Sequence, residues 1–130
     1  MPEFIATKSL PPSLDAFTRA YLEAAEWTDC HSDAEEDQPG ITDAPWAAAA
    51  IEKARLDCAA FQESMRTLLD ETGASDSRHG VDFWLTRNHH GAGFWDRGYD
   101  ARISDALTDC AHGFGEVYVY LGNDGAVYFG

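Results

Sequence analysis

The sequence predicts an α+β domain in the element order α-α-β-α-β-β, in which helices pack on a small antiparallel sheet of three strands. Three features predict this class: long apolar stripes at helical spacing early in the chain, a short alternating segment after them, and a strong hairpin signal near the end. The 130 residues suit one domain spanning positions 1–130. Hydrophobic residues make up 45 % of the chain, which is too many for a disordered acidic tail.

The first helix is expected to begin after Ser13, a good N-cap residue that follows two prolines. Trp27 is expected to close its buried face near the helix end. The pattern stops there, because residues 29–40 are polar and rich in acids. The apolar stripe that defines this helix consists of Leu14, Phe17, Tyr21, Leu22 and Ala25.

The second helix is expected to begin at Asp43, with Pro45 in its first turn, where a missing N–H costs little. It continues to about Glu71. Gly73–Gly80 then predicts a turn, since Gly, Ser and Asp cluster there without an apolar period. The stripe of this helix is long and consists of Trp46, Ala50, Ile51, Ala54, Cys58, Phe61, Met65, Leu68 and Leu69.

A change of period marks the next segment. Val81–Arg87 alternates apolar and other side chains, which predicts a strand. Asn88–Gly98 holds three glycines and predicts an unusual loop. Core packing is expected for at least three of the four rings of Phe83, Trp84, Phe94 and Trp95.

The end of the chain predicts a third helix and a hairpin. The helix covers about 100–111, with Ile103, Leu107 and Cys110 on one side. The hairpin joins 116–121 to 126–129, because Asp124-Gly125 is a strong hairpin-turn signal.

The stretch from Glu23 to Asp43 contains many acids and no Lys or Arg. The whole chain has 23 Asp and Glu against 9 Lys and Arg, a net charge of −14. Charge this far from zero bears on solubility and partners rather than on fold. The acids of this stretch are the candidate partner-binding residues: Glu23, Glu26, Asp29, Asp33, Glu35, Glu36, Asp37 and Asp43.

Two interpretations of this acidic stretch stay open. It keeps the protein soluble, or it presents a negative surface to a positively charged protein. Proteins that bind duplex DNA line its path with Lys and Arg, and carboxylates could occupy such a groove in place of phosphates. Nucleic acid itself is not an expected partner, because two polyanions repel each other. Acids of the second helix could extend the surface: Asp57, Glu63, Asp70 and Glu71.

Several features bound the class of protein. No run of about 18 apolar residues predicts a membrane span, and no secretory signal is visible, so the cytosol is the expected compartment. Cys30, Cys58 and Cys110 are odd in number and widely spaced, which is typical of small buried hydrophobes rather than of disulfides or zinc ligands. No cofactor is indicated. The acidic surface argues against tight self-association, so a monomer is expected.

The segment from Val81 to Gly98 resembles a known family. Its sequence VDFWLTRNHHGAGFWDRG is similar to the core D-F-W-L-T-R-N-x-H-G-A-G-F-W-D of small proteins common in phages and prophages. Position 89 is His where that family more often has Gly. Other similar segments are Ala20–Thr28, Asp57–Phe61 and Asn123–Gly125.

The resemblance implies a protein encoded by a phage or mobile element that acts on host machinery. By size and charge the chain resembles anti-CRISPR proteins, several of which look like duplex DNA to a CRISPR effector complex, with type I complexes favoured. The expected function is therefore non-enzymatic: the acidic stretch blocks the DNA-binding groove of such a complex in the bacterial cytosol.

Two alternatives involve chemistry instead. An enzyme, or a small-ligand or metal-binding domain, could be centred on His89 and His90, with Asp82, Asp96 and Arg97 nearby. The loop is also explained by hydrogen bonds from His90, Asn88 and Asp96 around glycines with positive φ. A calcium site at 33–37 lacks the donor spacing of an EF-hand. A third possible function is that of an accessory phage protein that is simply acidic and soluble.

Overall fold

The computed structural model describes residues 10–30 and 44–130, and these have the α+β class that the sequence predicts. The helices are α1 (Ala16–Ala25), α2 (Ala48–Thr72), α3 (Asp76–Arg87) and α4 (Ala101–Gly113). Two short helical turns are the π-helical Glu26–Cys30, directly after α1, and the 3-10 turn Phe94–Asp96. The strands are β1 (Val119–Leu121) and β2 (Val127–Phe129), which pair antiparallel.

The predicted strand Val81–Arg87 is wrong, because these residues form the second half of α3. Ser75 caps this helix by accepting a hydrogen bond from the Arg78 N–H at 3.1 Å, so the predicted turn from Gly73 to Gly80 covers only its first residues. Every side chain from Asp82 to Arg87 is buried. A helix that is enclosed on all sides has no polar face, and its sequence therefore lacks the period that identifies a helix.

The sheet of the described residues accordingly has two strands rather than three, and four helices precede it. Trp46 forms a parallel bridge with Val127 on the free side of β2. The Val127 N–H donates to the Pro45 carbonyl at 2.8 Å, and the Ala47 N–H donates to the Val127 carbonyl at 2.9 Å. These bonds keep the residues before α2 extended. The helix therefore begins at Ala48 and not at Asp43 as predicted.

The start and end of α1 also differ from prediction. The N-cap is Asp15, whose Oδ1 accepts a bond from the Thr18 N–H at 3.1 Å, and not Ser13. Trp27 is 57 % exposed and does not close the buried face. A π-helical turn holds more residues per turn than an α-helix, so Trp27 is rotated away from the stripe that Phe17 and Tyr21 bury.

The core is aromatic and lies between α1, α2 and α3. The rings of Phe61 and Phe83 stack at 4.3 Å between centroids, and Phe17 lies 6.0 Å from both. Gly80 allows α1 and α3 to approach, because a Cβ there would lie 2.1 Å from the Phe17 carbonyl oxygen. Phe83, Trp84 and Phe94 are buried, whereas Trp95 is exposed, so the prediction for three of these four rings is confirmed.

The last helix and the hairpin agree with prediction. Asp100 caps α4 by accepting a bond from the Arg102 N–H at 2.9 Å. The strands pair in a register that places Tyr120 opposite Tyr128. Gly125 has φ of 84°, the left-handed conformation that makes Asp-Gly turns favourable.

Candidate partner-binding surface

The two ends of the acidic stretch meet in the structure. Glu26 follows α1, Trp46 precedes α2, and the indole Nε1–H of Trp46 donates to Glu26 Oε2 at 2.8 Å. A second bond holds the same end of α1: the Trp84 Nε1–H donates to Thr28 Oγ1 at 2.8 Å, while that hydroxyl donates to the Ala24 carbonyl. The remaining acids of the stretch therefore belong to a connection whose ends are fixed at one place on the core.

Trp46 is a firm anchor for this connection. Its side chain is buried, and its ring centroid lies 5.0 Å from that of Phe129 on β2. Its backbone is held by the bridge to Val127. Both ends of the acidic stretch thus rest on aromatic residues of the core, at the edge of the small sheet opposite β1.

The structure places only part of the predicted site. Glu23 is exposed on the last turns of α1, and Glu26 is half-buried one turn later. Asp29 lies in the π-helical turn, and its side chain is outside the described set. The other predicted residues also lie outside the described residues: Asp33, Glu35, Glu36, Asp37 and Asp43.

An open cavity of about 340 Å³ lies between α1 and the start of α3. Glu23 and Arg78 both line it, together with Ser75, Ser77 and Val81. Among the described residues, Arg78 has no acid within ion-pair distance, and Glu23 forms no ion pair with a base. Arg78 thus shares this cavity with Glu23 without forming an ion pair with it.

The other bases are used elsewhere. Within residues 10–30 and 44–130, six of the Lys and Arg side chains form ion pairs, and none pairs with Glu23 or Glu26, the two acids of the stretch whose side chains the structure describes. Arg19 instead donates to the Pro11 carbonyl at 2.7 Å. The ion pairs are Lys53–Asp57, Arg55–Glu52, Arg66–Asp70, Arg66–Asp76, Arg87–Asp57, Arg97–Asp82 and Arg102–Glu71.

The acids of α2 do not extend the surface as expected. Asp57 accepts from Lys53 at 3.1 Å and from Arg87 at 2.9 Å, Asp70 pairs with Arg66, and Glu71 pairs with Arg102. Paired carboxylates present little net charge to a partner. Glu63 alone among these four acids has no ion pair within the described part of the chain.

The glycine-rich loop does not assemble the alternative site. Asp82 is fully buried and accepts two bonds from Arg97 Nε, at 3.0 and 3.1 Å, so the two charges neutralise each other. His89 is exposed with φ of 59°, and its ring stacks on His112 at 4.4 Å. In the parts of the chain that the structure describes, no group of three or more His, Cys, Asp and Glu is placed to hold a metal ion.

Other parts of that loop act as the structural interpretation expects. The Asn88 side chain donates to the Trp84 carbonyl at 3.1 Å and accepts from the Val117 N–H at 2.9 Å, which joins the end of α3 to the segment before β1. The His90 N–H donates to the Leu85 carbonyl at 2.9 Å. The positive φ angles fall on His89 and Gly98, and not on Gly91 or Gly93.

A buried polar network around Arg87 was not predicted from the sequence. This side chain is 1 % exposed and donates to the Tyr21 hydroxyl at 2.9 Å, to Asp57 at 2.9 Å, and to the carbonyls of Phe114 and Gly115. Burial raises the pKa of the Tyr21 hydroxyl, although Arg87 opposes the shift, so Tyr21 stays neutral and accepts this bond. A helical interpretation of Val81–Arg87 would have placed Arg87 on the same face as Phe83, towards Tyr21.

The described thiols offer no nucleophile. Burial raises the pKa of the Cys58 thiol well above its usual value, and burial also raises that of Cys110. A thiol must ionise to react, so these shifts reduce the reactive thiolate form of both cysteines. The interpretation of these two cysteines as buried hydrophobes agrees with their free, partly or wholly buried state.

No protein family, curated protein or solved structure matches the chain. None of the described helices combines the length and the apolar character needed to cross a membrane.

Proposed function

We propose that this protein is a non-enzymatic inhibitor of host defence, encoded by a phage or mobile element and acting in the bacterial cytosol. In this proposal it belongs to the anti-CRISPR class. Its acidic stretch from Glu23 to Asp43 occupies the positively charged DNA-binding groove of a CRISPR effector complex and excludes target DNA.

One observation supports the proposal above the others: how the chain distributes its bases. Six of the described bases pair with acids elsewhere in the fold, and none pairs with Glu23 or Glu26, the two acids of the stretch whose side chains are described. The stretch from Glu23 to Asp43 also contains no Lys or Arg of its own. An uncompensated stretch, anchored at both ends on buried aromatic side chains, suits attraction to a cationic groove.

The physics of such binding makes specific demands. Carboxylates that replace phosphates in a Lys- and Arg-lined groove release the counterions of that groove, so binding weakens steeply as salt rises. Each exposed ion pair contributes about 0–1 kcal/mol. Removal of charge should therefore reduce affinity gradually, whereas removal of a catalytic group would abolish activity in one step.

The test compares two variants of equal net charge. The first neutralises four acids of the stretch: Asp33→Asn, Glu35→Gln, Glu36→Gln and Asp37→Asn. The matched control neutralises four exposed acids that have no ion pair within the described residues: Glu63→Gln, Asp96→Asn, Asp105→Asn and Asp109→Asn.

Each protein is used as bait in host lysate at low salt, washed with a salt gradient, and then challenged with duplex DNA. We expect a nucleic-acid-binding complex to elute from the wild type and the control, and the stretch variant to bind about ten- to thirtyfold more weakly. Equal loss in both variants would mean that bulk charge alone matters. Unchanged binding in the first variant would exclude the acidic stretch as the contact surface.

The alternative of an enzyme centred on the histidine loop makes a different prediction for the same assay. His90→Ala should leave binding intact if the loop is structural, and it should abolish activity if the loop is catalytic. Because Asp82 and Arg97 neutralise each other in the core, the structure offers no acid–base partner for His90 from that pair.

A further inference from the structure

The outer edge of β1 presents unpaired backbone groups. The N–H and C=O groups of Tyr118 bond to Gly130, and the Gly122 N–H donates to the Ala126 carbonyl. In an antiparallel ladder the bonded positions alternate, so the N–H and C=O groups of Val119 and Leu121 point away from β2. They have no hydrogen-bond partner among the described residues. The opposite edge of the sheet is covered by the bridge from Trp46 to Val127.

Among the described residues, the usual protections of a free edge are missing. Natural proteins block edges with Lys, Pro, a bulge or a covering element. Residues 113–130 contain no Lys, Arg or Pro. The register of β1 and β2 is regular from Val119 to Leu121. The short length of β1 limits its pairing with a second chain, and a partner segment would lengthen the strand.

One face of the hairpin consists of tyrosine rings. Tyr118 is 65 % exposed and Tyr120 is 41 % exposed, and Tyr120 stacks on Tyr128 at 5.6 Å between centroids. Glycines make room for these rings, since a Cβ at Gly130 would lie 2.4 Å from the Tyr118 ring. The exposed rings therefore form a defined surface beside the free edge, rather than scattered apolar side chains.

Charge decides which partner suits this edge. Residues 113–130 contain the acids Glu116 and Asp124 and no base, and the whole chain carries −14. A second copy would bring two such charges together and is disfavoured. A Lys- or Arg-bearing segment is attracted, and its cations can lie over the faces of the tyrosine rings, where the ring electrons stabilise them.

We propose that an extended basic segment of a partner protein adds to β1 as a further strand, with its Lys or Arg side chains against Tyr118 and Tyr120. Backbone bonds to Val119 and Leu121 provide the affinity, and the tyrosine face together with the negative charge selects the partner. This surface is distinct from the described ends of the acidic stretch, which lie by the other edge of the sheet, so either proposal can fail without the other.

The test uses three synthetic octapeptides as probes: alternating arginine and valine, alternating glutamate and valine, and arginine alone. Amide hydrogen exchange and NMR shifts of the labelled full chain report the contacts. We expect the arginine–valine peptide to protect the amides of Val119 and Leu121, and the glutamate–valine peptide not to bind. If an all-arginine peptide bound equally well without protecting those amides, binding would require only opposite charge, and the proposal would be overturned.

Two variants test the edge and the face separately. Leu121→Pro removes an outward N–H from an exposed edge position, where Pro is tolerated, and Tyr118→Ser removes the most exposed ring. Each should weaken peptide binding by at least about tenfold, which corresponds to about 1.4 kcal/mol. Leu56→Ser, at a 54 % exposed apolar position on α2, is the matched control and should change it less than twofold.

Folding of the variants does not limit the test, since the wild-type exchange pattern stands by itself. Absence of protection at Val119 and Leu121 in the wild type overturns strand addition. Protection of the same amides by dimer formation, seen in sedimentation without peptide, overturns it as well, because a second copy would then be the occupant.

Discussion

The end of α1 around Glu23 and the interior around α3 both contain charged side chains, but these are exposed in the first region and buried in the second. Asp82 and Arg87 are buried, and each is bonded to a charged partner. Glu23 is exposed and has no such partner among the described residues. The difference follows from solvation, because a buried charge must be paired and hydrogen-bonded, whereas an exposed one remains hydrated at little cost. Acids that no base neutralises are then available to a partner.

The largest effect is expected where burial is deepest. Arg87→Met removes the charge that Asp57 needs and leaves the Tyr21 hydroxyl and two carbonyls without a donor. We expect a loss of about 3–5 kcal/mol in the free energy of unfolding, measured by urea denaturation. Arg55→Met, which breaks an exposed pair with Glu52, is the control and should change the free energy of unfolding only slightly. Similar losses in both variants would contradict the comparison.

The same contrast explains what could be predicted from the sequence. Stripes such as Phe17 to Ala25 and Ala50 to Leu69 were confirmed, since a helix with one buried face shows its period. The α3 helix was missed because its residues are buried on all sides. Its start was nonetheless signalled, because Ser75 and Asp76 have the cap and first-turn character of a helix N-terminus.

The candidate site was harder to predict than the fold. Composition located the acidic stretch, but it could not show that Glu26 and Trp46 join its ends, because that bond links residues distant in sequence. Composition also could not show that Asp57 forms an ion pair with Arg87. Proximity in the chain likewise suggested a site from Asp82, His90 and Arg97, whereas the helix directs Asp82 into the core. Contacts made across the fold decide which charges remain unpaired.

A smaller effect should appear at acid pH through His79. The Thr72 hydroxyl donates to the Leu69 carbonyl at 2.7 Å, so at 3.0 Å it must accept from His79 Nε2–H. His79 Nδ1 is buried without a partner. Burial lowers the pKa of His79, although the Leu69 carbonyl and Asp82 oppose the shift.

The unfolded chain therefore binds a proton near pH 6.5 that the folded chain refuses, and stability falls as the pH drops below that value. We expect a loss of up to about 1.4 kcal/mol for the first unit below it. The measurement is urea denaturation of wild type and His79→Gln between pH 7.5 and pH 5. The wild type should lose more stability than the variant over this range. Parallel curves would show that other groups carry the acid sensitivity.

His89 should show a still smaller effect of opposite sign. Its φ of 59° is left-handed, a conformation that costs a non-glycine residue about 1 kcal/mol. Its exposed ring contacts His112 and lies 3.5 Å from Glu116, and these contacts offset little of this conformational cost. His89→Gly should therefore stabilise the fold by about 0.5–1 kcal/mol, seen as a higher urea midpoint. Glu116→Gln removes only the carboxylate that faces His89 and should leave the midpoint unchanged. Destabilisation by His89→Gly would assign the histidine rings a structural role.

The smallest effects are expected at the acids that the proposed function uses, and this is what sets them apart from the interior. Glu23→Gln removes an exposed carboxylate without an ion pair among the described residues, so the free energy of unfolding should change by less than about 0.5 kcal/mol. Glu26→Gln keeps an oxygen that can accept the Trp46 N–H, and it should lose only about 0.5–1 kcal/mol because a charge-assisted bond becomes neutral. Both variants should at the same time bind the proposed partner more weakly, in an interaction that is sensitive to salt. Loss of binding without loss of stability would show that these carboxylates act in recognition. A stability loss for Glu23→Gln comparable to that of Arg87→Met would show instead that they stabilise the fold.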